Sequence, residues 1–266
     1  MADKEDILNF WFKECNPEQW FKKDDAFDQI INGISKYHHM YGKKVSCPVI
    51  LRMPMGGRRG YGPTHSQSLE KFMCGIDNVL VAAPTSLENP KLTYESIFEQ
   101  KCPTIIIENK IEYTKKCIEI NKNLTIQKNN IPLGNILVKP KFHKSHFCII
   151  AYGETARLVY DNYNKISEET NGIFMLANII KLNPLDIKSI FAQIATTEAT
   201  LIIEEGSTNF GISSEIACQL SDEGYVGKIK RLGAMPVPIP SPKNLEAECL
   251  PSIETICDKV KELLNA

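Results

Sequence analysis

In the stretch DDAFDQIINGISKYHHMYG, the apolar residues Phe27, Ile30, Ile31, Ile34 and Tyr37 recur at three- and four-residue spacing. That period predicts a helix, with Gly42 as its C-cap. The continuous apolar run CPVILRMP predicts a buried strand, and a glycine-rich loop follows it. A helix is predicted from about Gln67 with Leu69, Phe72 and Met73 inward, then a strand at NVLVAAP. A further helix near Lys91 to Lys101 leads into the strand PTIIIENK. Strands alternating with helices in this way predict a parallel sheet covered on both faces.

From about Ile111 to Ser145 the chain is polar and rich in Lys and Asn, which reads as an excursion plus linker. Afterwards the alternation restarts. FCIIAYG, IFMLANIIKL, TLIIEEG and KIKRLG are strands; helices are expected from about Thr155, at NPLDIKSIFAQI, around SSEIACQL and at SIETICDKVKELL. Asn183 and Pro184 mark an expected helix start. MPVPIPSP predicts an extended surface crossover, because its alternate prolines remove backbone donors and fix φ. The organisation expected is therefore an N-terminal segment 1–25, an α/β block 26–144 and a self-sufficient α/β block 145–266.

Composition narrows the function. With 31 Lys and Arg against 32 Asp and Glu, the formal charge is -1, so no general basic field favours nucleic acid. The opening MADKEDILNFWFKE has neither the basic start nor the long apolar core of a signal peptide, and no run reaches membrane-spanning length, so a cytoplasmic chain without membrane contact is expected. Nine scattered cysteines without a C-x-x-C pair fit reduced core thiols.

The segments AFDQIINGISKYHHMYG, PMGGRRGYGPTHSQSLE, IDNVLVAAP, TIIIENK, NIPLG, IIAYG, LNPLD, LIIEEGS and PVPIPSP stand in one order along the chain. In that order and spacing they resemble the β subunits of thiamine-dependent 2-oxo acid dehydrogenases of the pyruvate and branched-chain type, from about Ala26 to the C-terminus. The resemblance implies an incomplete transketolase-type pyrimidine-binding domain followed by a transketolase C-terminal α/β domain. It implies thiamine diphosphate and magnesium as cofactors, an α-type subunit that holds them, a lipoyl acyltransferase core as acyl acceptor, and a homo- or hetero-oligomer. It also places His65 in the active site, near the substrate carboxylate and the proton handling of acyl transfer. An imidazole suits that task because its ordinary pKa near 6.5 lets it give or take a proton near neutrality. The residues alone allow a second reading, in which His65 caps a helix at Ser66 and Gln67 and the glycines serve packing.

The departures from the family also carry expectations. The family's cofactor-activating glutamate lies in a segment ahead of the AFDQ helix, for which this sequence has no counterpart, so the chain alone is not expected to bind cofactor or decarboxylate. Glu14 or Glu18 is the rival candidate for that role. Lys22 aligns with an aromatic residue of the family, with Phe21 adjacent. Ile97, Gln100 and Cys102 replace a family Cys, Asp and Asn set, so no monovalent cation site is expected. ILNFWFKECNPEQWFKKDDAFD resembles the opening of an uncharacterised bacterial helical family; Phe10, Trp11, Trp20 and Phe21 read equally as a plug over apolar surface. A non-catalytic remnant or assembly module is the alternative function.

Other constellations are weaker. His143, His146 and Cys148 carry metal-type letters without a fourth ligand nearby. Arg58 and Arg59 fit an oxyanion or a partner subunit. Glu204 and Glu205 end a strand where open α/β sheets place sites, but capping the next helix or a subunit contact is the plainer role. His38 and His39 favour the C-terminal dipole of their helix.

Overall fold

The computed structural model describes residues 27–119, 121–129 and 131–265. The aromatic and acidic positions Phe10, Trp11, Glu14, Glu18, Trp20, Phe21 and Lys22 lie outside the described residues.

The helix expected from Phe27 is broken into a π-helical turn Gln29–Ile34 and a short helix α1 (Tyr37–Met40). Ile30 and Ile34 still point inward, and Gly33 within the run weakens the regular helix. Gly42 ends the element as expected, at φ +64 with its N–H donating to His39 O at 3.1 Å.

Strands β1 (Ile50–Met55), β2 (Leu80–Ala82) and β3 (Thr104–Asn109) form a parallel core in the order β1-β3-β2. The helix expected from Gln67 is only the single turn α2 (Glu70–Met73). Met73 is buried there, but Phe72 is 50% exposed and Glu70 takes the inward place. A hydrogen bond from Tyr152 satisfies that carboxylate. Helix α3 (Pro90–Glu99) begins with Pro90 at N1, and Asn89 Oδ1 accepts from Lys91 N at 3.1 Å as its cap.

The stretch expected to be an excursion and linker contains two strands, β4 (Leu124–Lys128) and β5 (Ile136–Pro140), paired antiparallel. In β4 the apolar Leu124 and Ile126 alternate with polar letters, while Ile136, Leu137 and Val138 of β5 are all buried, Leu137 in one core and Ile136 and Val138 in the other. They extend a six-stranded sheet, so that sheet begins at Leu124, ahead of the boundary expected at Ser145. Its other members are β6 (Phe147–Ala151), β7 (Phe174–Asn178), β9 (Ala199–Ser207) and β10 (Lys228–Ala234), in the order β10-β9-β6-β7-β5-β4. Helices α4 (Gly153–Asp161) and α5 (Tyr163–Thr170) join β6 to β7.

Strand β8 (Lys181–Asn183) leaves this sheet and pairs antiparallel with β2, making the first sheet four-stranded. No helix starts at Asn183–Pro184. Asn183 Nδ2 instead donates to Ile76 O and Val79 O, and α6 (Lys188–Ile194) begins later. Helix α7 (Ile212–Asp222) follows β9. MPVPIPSP runs without helix or strand, as expected, and leads into the unforeseen helix α8 (Lys243–Cys249) before α9 (Ile253–Asn265).

Two apolar cores each draw on both sheets. Along β6, Cys148 and Ile150 enter one core while Phe147, Ile149 and Ala151 enter the other, the two-residue period of a strand buried on both faces. In the second core, Phe174 stacks on Phe147 at 5.3 Å and on Tyr163 at 4.2 Å. Helix α9 covers this core with Ile256, Val260 and Leu263, one stripe at helical spacing.

Candidate functional site

The glycine-rich loop leaves the C-terminal end of β1, and its base is closed by Gly56 N donating to Gln67 O at 3.0 Å. It enters the second sheet at a particular place. Strand β6 has β7 on one side and β9 on the other, so the chain's winding reverses there and the strand ends leave a crevice. Tyr152, just past β6, and Glu154, in the first turn of α4, line it, with Glu204 and Glu205 from β9. The loop fills this crevice and supplies donors to Glu154 and Glu205.

Glu205 accepts from Gly57 N at 2.6 Å, from Ser68 Oγ at 3.3 Å and from Asn109 Nδ2 at 2.7 Å. Arg58 donates to Glu154 at 3.0 Å and to Pro251 O at 2.7 Å. Glu246 of α8 accepts from Gly60 N and Ser66 Oγ, each at 2.6 Å. Glycine is required where the backbone comes this close. A Cβ on Gly56, at φ +97, would lie 2.4 Å from Asn109 Nδ2 and 2.9 Å from Glu205 Oε1.

The acids are crowded for a buried place. Burial raises the pKa of Glu205, of Glu154 and of Glu70; Arg58 offsets this in part for the first two, and the Tyr152 hydroxyl does so for Glu70. Glu204 is raised by burial too, against hydrogen bonds from Ser213 and Ile212 N that favour its charged form. Those bonds make Glu204 the cap of α7, as read from sequence. Glu205 turns the other way and holds the loop. At the end of β3, burial would raise Glu108, but hydrogen bonds from Arg52, Tyr113 and Tyr94 outweigh it and hold the carboxyl below its usual range.

His65 sits half-buried near the mouth of the loop. Its N–H and that of Ser66 converge on Gly62 O at 3.3 and 3.0 Å, and its carbonyl accepts from Lys110 Nζ at 2.8 Å. Lys110 also lies 5.5 Å above the Tyr61 ring, and its own carbonyl accepts from Arg59 at 2.6 Å. No helix begins at Ser66 or Gln67, so the capping role for His65 does not hold. Arg58 and Arg59 are bound within the chain itself. Sequence reasoning missed Glu70, Glu154, Glu246, Tyr152 and Asn109; the one available signal was that an acid in an apolar run, as in TLIIEEG, needs a buried partner.

The remaining candidates stand apart from His65. Cys148 is sealed inside β6 with its thiol pushed far up by burial, while His143 is exposed and His146 Nδ1 faces Ile173 N at 3.4 Å. His38 lies in the last turn of α1 and Nδ1 meets Val45 O at 2.9 Å. A depression of about 1020 Å³ opens at the opposite, N-terminal end of the first sheet, between Cys47, Asp77 and Lys101, and does not include His65.

Comparison with known proteins gives a family match over the C-terminal part of the chain and relatives along most of it. Residues 137–256 match the transketolase C-terminal domain. The chain is 27% identical over 247 residues to the "Pyruvate dehydrogenase E1 component subunit beta, mitochondrial" of Caenorhabditis elegans, covering 90% of this chain and 68% of that protein. Over most of its length the chain is thus similar to pyruvate dehydrogenase E1 β subunits. The corresponding subunit of Rickettsia conorii is 26% identical over 241 residues, covering 90% of this chain and 72% of the relative. For subunit beta-1 of Arabidopsis thaliana the values are 25%, 87% and 63%, so this chain spans less than two thirds of that relative's length. A solved structure described as "Split gene transketolase, inactive beta4 tetramer" shares the fold, with a TM-score of 0.66 over 91% of this chain and 72% of that one at 17% identity.

Proposed function

We propose that this chain is the β-type half of a two-component 2-oxo acid decarboxylating dehydrogenase, presenting His65 at a site that an α-type subunit completes. The observation that carries this reading is the fixed loop. The carbonyl of His65 is held by Lys110, and the segment around it by Glu246, so an imidazole is presented at a defined place on a rigid support. There it can hold a carboxylate end of the substrate by hydrogen bonding or exchange a proton during acyl transfer to a lipoyl-bearing acceptor.

The described residues do not fit thiamine diphosphate and magnesium on their own. The loop N–H groups of Gly57 and Gly60, which could meet a diphosphate, already serve Glu205 and Glu246. No group of three or more acidic, histidine or cysteine side chains among the described residues could hold a metal ion. On this proposal cofactor binding falls to the partner, and the chain alone is inactive.

The test has two arms. Titration of thiamine diphosphate and magnesium into the pure chain by calorimetry yields no saturable heat at micromolar concentration. Co-expression with an α-type subunit yields pyruvate- or branched-chain 2-oxo-acid-dependent dye reduction that His65→Gln abolishes. Saturable binding by the chain alone would overturn the division of labour. A complex that forms but stays silent would favour the second reading, an assembly module, which the self-occupied loop also supports.

A further inference from the structure

We propose that Glu246, on α8 of the C-terminal sheet, is a positioning residue that clamps the turn carrying His65; this rests on the reading of His65 as the site residue. The loop from Gly56 to Leu69 contains no acidic residue, so any carboxylate that anchors it must come from elsewhere in the chain. Glu246 is fully buried at 0% exposure, and its two oxygens grip the two ends of the segment that brackets His65, at Gly60 N and at Ser66 Oγ. Between those grips the His65 and Ser66 N–H groups turn onto Gly62 O, and Lys110 holds the His65 carbonyl.

The grip suits a carboxylate. Both oxygens accept, so both can take donors at once; an amide could keep the Gly60 N–H only by turning its NH2 to the Ser66 hydroxyl, which also accepts, whereas an alanine keeps neither contact. The approach is close: a Cβ on Gly57 would sit 3.2 Å from Glu246 Oε1 and 2.6 Å from Leu250. Glu204 provides the contrast. It is just as buried, at 1% exposure, yet its bonds go to Ile212 N and Ser213 Oγ of α7 and to no part of the loop.

The experiment reads His65 itself. Carbethoxylation by diethyl pyrocarbonate is followed peptide by peptide in mass spectrometry on the full chain, with the rate at His65 divided by that at exposed His143. Glu246→Ala is expected to raise the ratio about tenfold, the effect on local opening of releasing both hydrogen bonds. Glu204→Ala is expected to lower the melting temperature and leave the ratio unchanged. An unchanged ratio in Glu246→Ala, or an equal rise in Glu204→Ala, overturns the proposal. If Glu246→Ala does not fold, Ser66→Ala releases one grip alone; a rise of about threefold supports the clamp and no rise refutes it. Failure of the catalytic reading is separate: it shows as activity retained by His65→Gln beside an α-type subunit, and leaves the ratio as it was.

Discussion

Replacing Arg58 with methionine removes the cation that the loop sends into the crevice. Its side chain is 22% exposed and that of Glu154 is 2% exposed, with 3.0 Å between Nε and Oε2. Breaking a buried pair by deleting one partner costs about 3–5 kcal/mol; the partial exposure of Arg58 places this pair near 3 kcal/mol, by the same scale. That cost requires a charged Glu154. Burial raises the Glu154 pKa and Arg58 lowers it, so losing Arg58 raises it further. A carboxyl whose folded pKa exceeds its unfolded value, about 4.3, loses stability as pH climbs above that value and loses no more once the folded pKa is passed. The penalty of Arg58→Met is therefore about 1 kcal/mol near pH 5, where Glu154 can take up a proton and the lost hydrogen bonds dominate, and about 3 kcal/mol near pH 8. Urea unfolding followed by circular dichroism at both pH values measures it, and the Arg58→Met, Glu154→Gln double variant should recover about 2 kcal/mol near pH 8. A loss equal at both pH values, or larger near pH 5, would refute the charge-based account.

Other substitutions test the packing. Gly56→Ala forces a left-handed backbone and a 2.4 Å clash with Asn109 Nδ2, and is expected to lower stability by about 2 kcal/mol or more in the same unfolding assay. Phe174→Ala empties the stack between Phe147 and Tyr163 and should cost about 4 kcal/mol. A fragment starting at Leu124 should melt at a higher temperature than one starting at Ser145, because the shorter fragment strips β5 from the edge of β7; equal melting temperatures would show that the hairpin adds nothing.

The strands β1, β3, β6, β7 and β9 were legible because each is a run of apolar letters between turn signals, which a buried parallel strand must be. The hairpin β4–β5 was not: β4 has one wet face and shares its letters with a loop, and the apolar run of β5 is only Ile136 to Val138, so its pairing with β7 is what distinguishes it. In α2 the single turn offered too few residues for a period, and Phe72 was assigned inward where Glu70 belongs. His65 stood out by its motif. The acids that surround its loop come from α4, β9, α2 and α8, far apart in the chain, and no local pattern announces that Glu154, Glu205, Glu70 and Glu246 meet there. The spacing of letters reports local geometry, while buried polar pairing is a property of the assembled fold.

The return of β8 to the first sheet has a consequence for how the protein emerges from the ribosome. Synthesis runs N-terminal first, and a unit can fold only when its last strand has left the exit tunnel. The first sheet receives its edge partner from Lys181–Asn183, after β4, β5, β6 and β7 of the other sheet have been made. Its glycine loop waits longer still, because the carboxylates that receive it sit at the end of β9 and in α8. The nascent N-terminal block must therefore stay unfinished while most of the chain is translated, with β2 open on one side. The first sheet closes only once β8 is out and the second once β10 has followed, and the His65 turn, which waits for α8, is among the last parts to be secured.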